Sequence, residues 1–228
     1  MTEKPALADP ATVRGEQTRQ LILATALRLF RENGYTETTM RAIARAAEVS
    51  VGNAYYYFPS KEHLIQEFYL GLQAEHRTAA APVLDRTTDF GDRLRGVLHA
   101  GVDNMAEYHT FAATFFKTAA EPTSPLSPFS VESSPSREAS IRLFAEVLDG
   151  SSAKVDPSLR ADLPELMWLG YLGVVLYWVH DRSPGQGKTH LLIDRAVPLA
   201  DRLLRLSRLR VLRPVTRELV DLLRELRH

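Results

Sequence analysis

The chain has 228 residues, 45% of them apolar and 25% charged, with a formal net charge of zero. That composition is ordinary for a soluble globular protein, and overall neutrality excludes a global field drawing the chain to polyanions, so any such contact must come from a local patch. Cysteine is absent, which removes disulfides, thiol catalysis and thiolate metal sites and fits a reducing cytoplasm.

The opening MTEKPALADPATVRG has no apolar stretch of the kind a secretory leader carries. Its prolines and small residues predict a disordered lead-in over 1–13. From Glu16 to Asn33, apolar residues at Leu21, Ile22, Ala26, Leu29 and Phe30 keep the helical period. Asn33-Gly34 then supplies a stop, because glycine accepts the left-handed conformation. A second helix, capped by Thr38 or Thr39, carries Met40, Ile43, Ala44 and Ala47 on one face. Ser50 can cap a short third helix that ends at Pro59. Ser60 can cap a fourth, running toward Ala81. Residues 14–60 therefore read as three short helices, the last two joined by a turn of about four residues, which is helix-turn-helix geometry. Small side chains at Ala44, Ala46 and Ala47 allow close approach.

Residues 61–228 read as a larger helical body. Helices are predicted over Phe90–Glu107, Phe111–Ala120, Ser136–Asp149, Asp156–Asp181, Lys188–Leu212 and Val215–Arg227. The stretch EPTSPLSPFSVESSPS, Glu121–Ser136, is rich in Pro and Ser and predicts a loop or a partly disordered segment. Period-2 alternation is missing, so the fold class is all-α. The run LMWLGYLGVVLYWVH, Leu166–His180, is shorter than the ~20 residues a membrane span needs. It predicts a buried helix, and no membrane partner. The terminal run from Asp201 to His228 is amphipathic, with Asp201, Glu218, Asp221 and Glu225 among its arginines. It reads as a packed helix with a solvated face.

The stretch VSVGNAYYYF, Val49–Phe58, is unusual in crowding three tyrosines onto one turn. On a helix, Val49, Ala54 and Phe58 fall on one side, leaving Gly52, Asn53 and Tyr56 outward with Tyr55 and Tyr57 flanking. Gly52 lies in the first turn, where backbone N–H groups are unpaired. Asn53 can pair two hydrogen bonds with a base edge, and a tyrosine can pack on a thymine methyl or reach a phosphate. Around it, Arg14, Arg19, Arg28, Arg31, Arg41, Arg45 and Lys61 outnumber Glu16, Glu32, Glu37 and Glu48 by three. A local surplus of this kind suits a phosphate binder.

The segments ALRLFRENGYTETTM and IARAAEVSVGNAYYYFPSKEHL, in register from about Arg14 to Tyr69, resemble the DNA-binding domain of the TetR family of bacterial transcriptional regulators. The resemblance implies operator reading by Val51, Gly52, Asn53, Tyr55 and Tyr56, and phosphate contact by Thr39, Tyr57 and Lys61. It departs from the family at Val51, often polar in relatives, at Ala54, often a larger aliphatic, and at Tyr57, frequently histidine. The resemblance further implies a non-enzymatic, cytoplasmic homodimer, a repressor released from a double-stranded palindromic operator by a small-molecule effector. The helices around Leu166–His180 and Lys188–Leu212, with Leu191, Leu192, Val197, Leu199, Leu203, Leu204 and Leu206, would form a four-helix dimer interface. Two alternatives stand beside this reading: a constitutive DNA binder with a filled body, and a helical carrier or enzyme whose N-terminal unit is structural.

Candidate effector-lining residues are the clustered Met105, Tyr108, Phe115, Phe116, Phe144, Trp168, Tyr171 and Trp178, with His109 and Lys117 as polar groups. No cofactor or metal is predicted. The seven histidines lack HExxH spacing, and no GxSxG elbow occurs. The turn PGQGKT, Pro184–Thr189, lacks the upstream glycine and preceding strand of a phosphate loop, so it reads as a helix connection.

Overall fold

The computed structural model describes residues 10–207 together with Glu218 and Glu225. Helices follow one another as α1 (Pro10–Asn33), α2 (Met40–Ala46), α3 (Val51–Tyr57), α4 (Lys61–Arg86), α5 (Phe90–Asn104), α6 (His109–Ala119), α7 (Ser134–Asp149), α8 (Pro157–Arg160), α9 (Leu163–His180) and α10 (Gly187–Leu206). No strand occurs among the described residues. The helix expected over Val215–Arg227 and most of the terminal amphipathic run lie outside the described residues.

Helix α1 starts at Pro10, inside the segment expected as a disordered lead-in. Proline suits that start, because its missing N–H falls where helical donors have no partner. Helix α1 ends at Gly34, whose φ of 85° is left-handed. Of its apolar positions, Ile22, Ala26, Leu29 and Phe30 are buried and Leu21 is exposed. Thr39 caps α2 by accepting the Ala42 N–H at 3.1 Å, while buried Thr38 donates to the Gly34 carbonyl at 2.8 Å. Met40, Ile43, Ala44 and Ala47 all face inward. Ser60 occupies the cap position of α4 but makes no backbone cap, and its hydroxyl pairs with His63 Nδ1 instead.

The chain holds two cores. One joins α1, α2 and α3 through Ile22, Phe30, Ile43, Ala54 and Phe58. It also takes Leu64 and Ile65 from the first turn of α4, so α4 straddles the boundary expected at residue 61. Arg19 on α1 forms a bidentate pair with Glu67 on α4. The second core lies among α5, α7, α9 and α10 around Phe144, Trp178 and Ile193.

Two long-range devices hold the body. Arg93 is buried and spends its guanidinium on carbonyls at the ends of α4 and α7: Leu84, Thr87 at 2.8 Å, Glu146 at 2.7 Å and Val147 at 3.0 Å. A cation there also meets the negative ends of two helix dipoles. A Cβ on Gly150 would come within 2.2 Å of that guanidinium, so glycine is needed for close approach. The second device is Asp181, which accepts from the N–H and hydroxyl of both Ser183 and Thr189 at 2.7–2.9 Å. Burial alone would raise its pKa, but these four bonds outweigh it and hold the carboxyl well below the ordinary range. The Ser183–Thr189 turn thus wraps a carboxylate of its own chain, and the left-handed φ of 60° at Gly185 serves that turn without a phosphate.

One expectation for the body needs correction, and one left open is decided. The single helix predicted over Asp156–Asp181 is broken into α8 and α9. Pro164, in the first turn of α9, cannot continue a preceding helix. The Pro/Ser-rich stretch is a loop, but an ordered one: Ser124, Leu126, Ser127 and Ser133 are buried. Leu126 enters the N-terminal core, and the Gln66 amide donates to the Pro125 carbonyl at 2.7 Å and to Ser133 Oγ at 3.1 Å. The loop is ordered because its serines cap turns within it, as Ser130 does by donating to the Pro125 carbonyl at 2.8 Å.

Candidate nucleic-acid interface and effector cleft

A tight local turn aims α3. Val49 N–H donates to the Ala44 carbonyl at 3.0 Å, Glu48 takes a left-handed φ of 55°, and Ser50 Oγ accepts the Asn53 N–H at 3.1 Å. The inward face is Ala54 and Phe58, both fully buried, beside half-buried Val49. The outward face presents Val51, Gly52, Tyr55 and Tyr56, with Asn53 half-buried. Tyr56 is 80% exposed, so burial within this chain does not account for it. A Cβ on Gly52 would meet nothing within 4 Å. No internal contact demands glycine there, and the space before the first turn is open to another molecule. Tyr57 is half-buried, stacks edge-on against Tyr56 at 5.1 Å, and lays its hydroxyl beside Gly15.

The basic surplus is not uniform. Arg19 is paired with Glu67 and lies 5.2 Å from the Phe58 ring centroid. Arg28 pairs with Glu32 at 3.0 Å and Arg31 with Glu107 at 3.6 Å. Lys61 donates to the carbonyls of Tyr35 at 2.7 Å and Thr36 at 3.3 Å, and its amine sits 4.4 Å from the Tyr35 ring centroid. Burial lowers its pKa below the ordinary 10.5. Arg14, Arg41 and Arg45 are exposed and form no ion pair with the described residues. Arg41 and Arg45 share one face of α2, one turn apart, just after exposed Thr39.

In the body, a cleft of about 490 Å3 opens between α4, α6, α7 and α9 and the 120–133 loop. Seven of the ten expected lining residues wall it: Met105, Tyr108, Phe115, Phe116, Trp168, Tyr171 and Trp178. Three do not. Phe144 is core and packs on Tyr171. His109 lies edge-on to Trp178 and hydrogen-bonds its carbonyl through Nε2 at 2.8 Å. Lys117 is exposed and points away from the wall. Residues the sequence did not suggest include Phe68 and Tyr69 from α4, Phe129 from the loop, and Arg137 and Ser140 from α7. No group of three or more His, Asp or Glu side chains fit to hold a metal occurs among the described residues.

Two family models match the chain. A family model described as "Bacterial regulatory proteins, tetR family" matches residues 22–68. Another, "Tetracyclin repressor-like, C-terminal domain", matches residues 93–226, more than half of the chain. The chain belongs to the TetR family. Like other members it is a DNA-binding transcriptional regulator.

Among curated TetR-type relatives, the probable HTH-type transcriptional regulator YttP of Bacillus subtilis is 37% identical over 75 residues, 31% of this chain and 36% of that protein. The alignment thus spans about a third of that relative. Among solved structures, Thermus thermophilus FadR, a repressor in complex with lauroyl-CoA, is 25% identical with a TM-score of 0.58, covering 78% of this chain and 92% of its own. Bacillus subtilis FadR, in complex with stearoyl-CoA, superposes with a TM-score of 0.61 at 16% identity, covering 79% and 96%. The latter likeness speaks for the fold alone. No helix among the described residues is long and apolar enough to cross a membrane.

Proposed function

We propose that this TetR-family regulator works as a homodimer, a repressor released from a palindromic operator by an apolar small-molecule effector. Each protomer sets α3 in a major groove, with half-sites about one helical turn or a multiple apart. Val51, Gly52, Asn53, Tyr55 and Tyr56 meet the bases. Thr39 and Tyr57 meet phosphates, joined by Arg41 and Arg45, whose charges have no ion-pair partner among the described residues. Lys61 has a mainly structural task here, since two of its three ammonium donors are committed to the turn after α1. The protein acts without catalysis, in the cytoplasm. Residues 14–60 serve as the reading domain and 61–228 as the regulatory one, with the leading turns of α4 shared.

Support for the dimer comes from α9 and α10. Leu191, Leu199, Leu203 and Leu206 are exposed on α10 while Ile193, Val197 and Leu204 on its other face are buried. Leu176 and Tyr177 extend the exposed apolar surface onto α9. Apolar area of this kind suits burial against a second copy.

One observation carries the effector reading. Phe115 and Ala119 belong both to the wall of the cleft and to the core of the reading unit. Tyr69 also lines the cleft, and its hydroxyl donates to the carbonyl of Leu126, the loop residue seated in that core. A ligand that moves this wall moves the seat of α1 and α3. DNA and effector then oppose each other by linkage, typically by 1–3 kcal/mol. FadR of Thermus thermophilus, bound to an acyl thioester, offers a precedent for a long apolar ligand.

The test begins with genome-wide selection of bound DNA fragments. Affinity for the recovered site is then followed by fluorescence anisotropy as lauroyl-CoA and other apolar compounds are added. Release by a compound that also raises the melting temperature supports the proposal. Failure to retain any fragment would overturn the operator assignment. Retention insensitive to every compound would leave a constitutive binder.

A further inference from the structure

The wall of the cleft is unevenly polar. Helices α6 and α9 offer it aromatic and aliphatic side chains, among them Phe116, Trp168, Leu172 and Val175. Helix α7 offers a different stripe. Ser133, at its cap, and then Ser136, Arg137 and Ser140 recur at helical spacing, and all four line the cleft. Arg137 is the one charged side chain of the lining residues, and no carboxylate of the described residues pairs with it. Its Nη1 donates to the Pro128 and Ser130 carbonyls at 2.7 and 2.9 Å, which fixes the arm and leaves most of the five guanidinium donors for something else.

Hydrogen-bonding capacity is left over at the same place. Ser133 and Ser136 hydroxyls are engaged, the first by Gln66 and Ser130 and the second by the Ser133 carbonyl. The Ser140 hydroxyl, the Trp178 indole N–H and the Gln73 carbonyl oxygen are buried without a partner among the described residues. Ser140 and Trp178 are each only 2% exposed, and all three residues line the cleft. Buried polar groups are normally satisfied, and leaving one unmade is costly. Two of these three are donors, they line the same cleft as a guanidinium with no ion pair among the described residues, and no acid lines the wall. This set suits a ligand that brings negative charge and acceptor oxygens on an apolar body.

We propose that the effector is an anionic amphiphile, with its apolar part against α6 and α9 and its acidic group on the α7 stripe, held by Arg137 and the Ser140 hydroxyl. This rests on the effector reading of the cleft and narrows it to a chemical class. The acid is either the carboxylate of a free fatty acid or the phosphates of its coenzyme A thioester. A neutral alcohol of equal chain length satisfies the apolar wall but leaves Arg137 without a counter-charge.

The experiment compares dodecanoate, dodecanoyl-CoA and dodecan-1-ol by calorimetric titration into the full-length protein. At least one of the two anions binds ten-fold or more tighter than the alcohol, and whichever does so identifies the source of the acid. Arg137→Met reduces that preference to about two-fold or less while alcohol affinity stays within about two-fold, which also shows that the cleft is intact. Ser140→Ala takes about three-fold from the anion alone. Equal affinity for alcohol and anions, or a preference untouched by Arg137→Met, would overturn the acidic assignment and leave an effector cleft for neutral ligands. Absence of binding by all three would remove the effector reading itself, and this proposal with it.

Discussion

The reading unit and the body solve the same problem, burial of helix faces, in opposite ways. Among the described residues up to Phe58, every buried side-chain polar atom has a partner. Those bonds are mostly local: Thr38 to Gly34 and Leu29, Thr39 to Ala42, Ser50 to Asn53. The body is held by bonds across long stretches of chain, such as Arg93 to Glu146 and Val147. It also leaves Gln73, His76, Ser140 and Trp178 with buried polar atoms that have no partner among the described residues. The contrast matches the roles assigned to them. A surface that must present one fixed shape to a duplex gains from a complete internal network. A cleft that must recognise a ligand gains from groups that the chain itself does not satisfy.

The sharpest way to break the contrast is to cut the body's clamp. Arg93→Ala strands four helix-end carbonyls and should lower unfolding free energy by about 4 kcal/mol in urea titrations. An unchanged midpoint would show that the long-range bonds are incidental. Next comes the element the two regions share. Leu126→Ala removes a fully buried side chain that the loop inserts into the reading unit's core, and should cost about 3 kcal/mol. It should also weaken effector-driven DNA release more than it weakens effector binding. Equal loss of both would mean that the loop does not couple the regions.

The reading surface itself should behave differently. Asn53→Ala or Tyr56→Ala should take about 1–3 kcal/mol from operator affinity and relax sequence preference. The melting temperature should change little, because Tyr56 is 80% exposed and buries little surface. A large fall in melting temperature would return Tyr56 to a structural role. Smaller still, Arg41→Ala and Arg45→Ala should each lower the slope of log affinity against log salt by about one, without changing specificity. Lys61→Ala should change that slope less and stability more, since its amine binds the chain's own carbonyls.

Acidity gives the subtlest test. His76 is buried in the body, donates Nε2–H to the Val97 carbonyl at 2.8 Å and leaves Nδ1 unpaired. Burial lowers its pKa below the ordinary 6.5. The folded state therefore binds fewer protons than the unfolded chain, so its contribution is complete above about pH 6.5 and falls as pH drops below it. Thermal melts from pH 8 to pH 5.5 should show this decline in the parent and a flatter profile in His76→Gln. Identical profiles would remove His76 as the cause.

Much of this protein was legible from residue order alone. The glycine stop at Gly34, the caps at Thr39 and Ser50, the inward set Met40, Ile43, Ala44 and Ala47, and the outward tyrosines all follow from interactions within a few residues. Local chemistry repeats in any chain that carries it, so a linear reading can find it. Seven of the ten expected cleft residues were legible for a coarser reason: large aromatics gather where apolar helices meet. What only tertiary structure decided were the roles set by distant partners. Nothing in the neighbours of Lys61 marks the carbonyls of Tyr35 and Thr36 as its destination. Nothing in a Pro/Ser-rich stretch says that Leu126 will seat in a core whose other members lie as far back as Ile22. The α7 stripe has helical spacing in the sequence, but it becomes a polar edge only because α6 and α9 pack an apolar wall around it. Burial and pairing are properties of neighbours in space, and residue order limits those neighbours without choosing them.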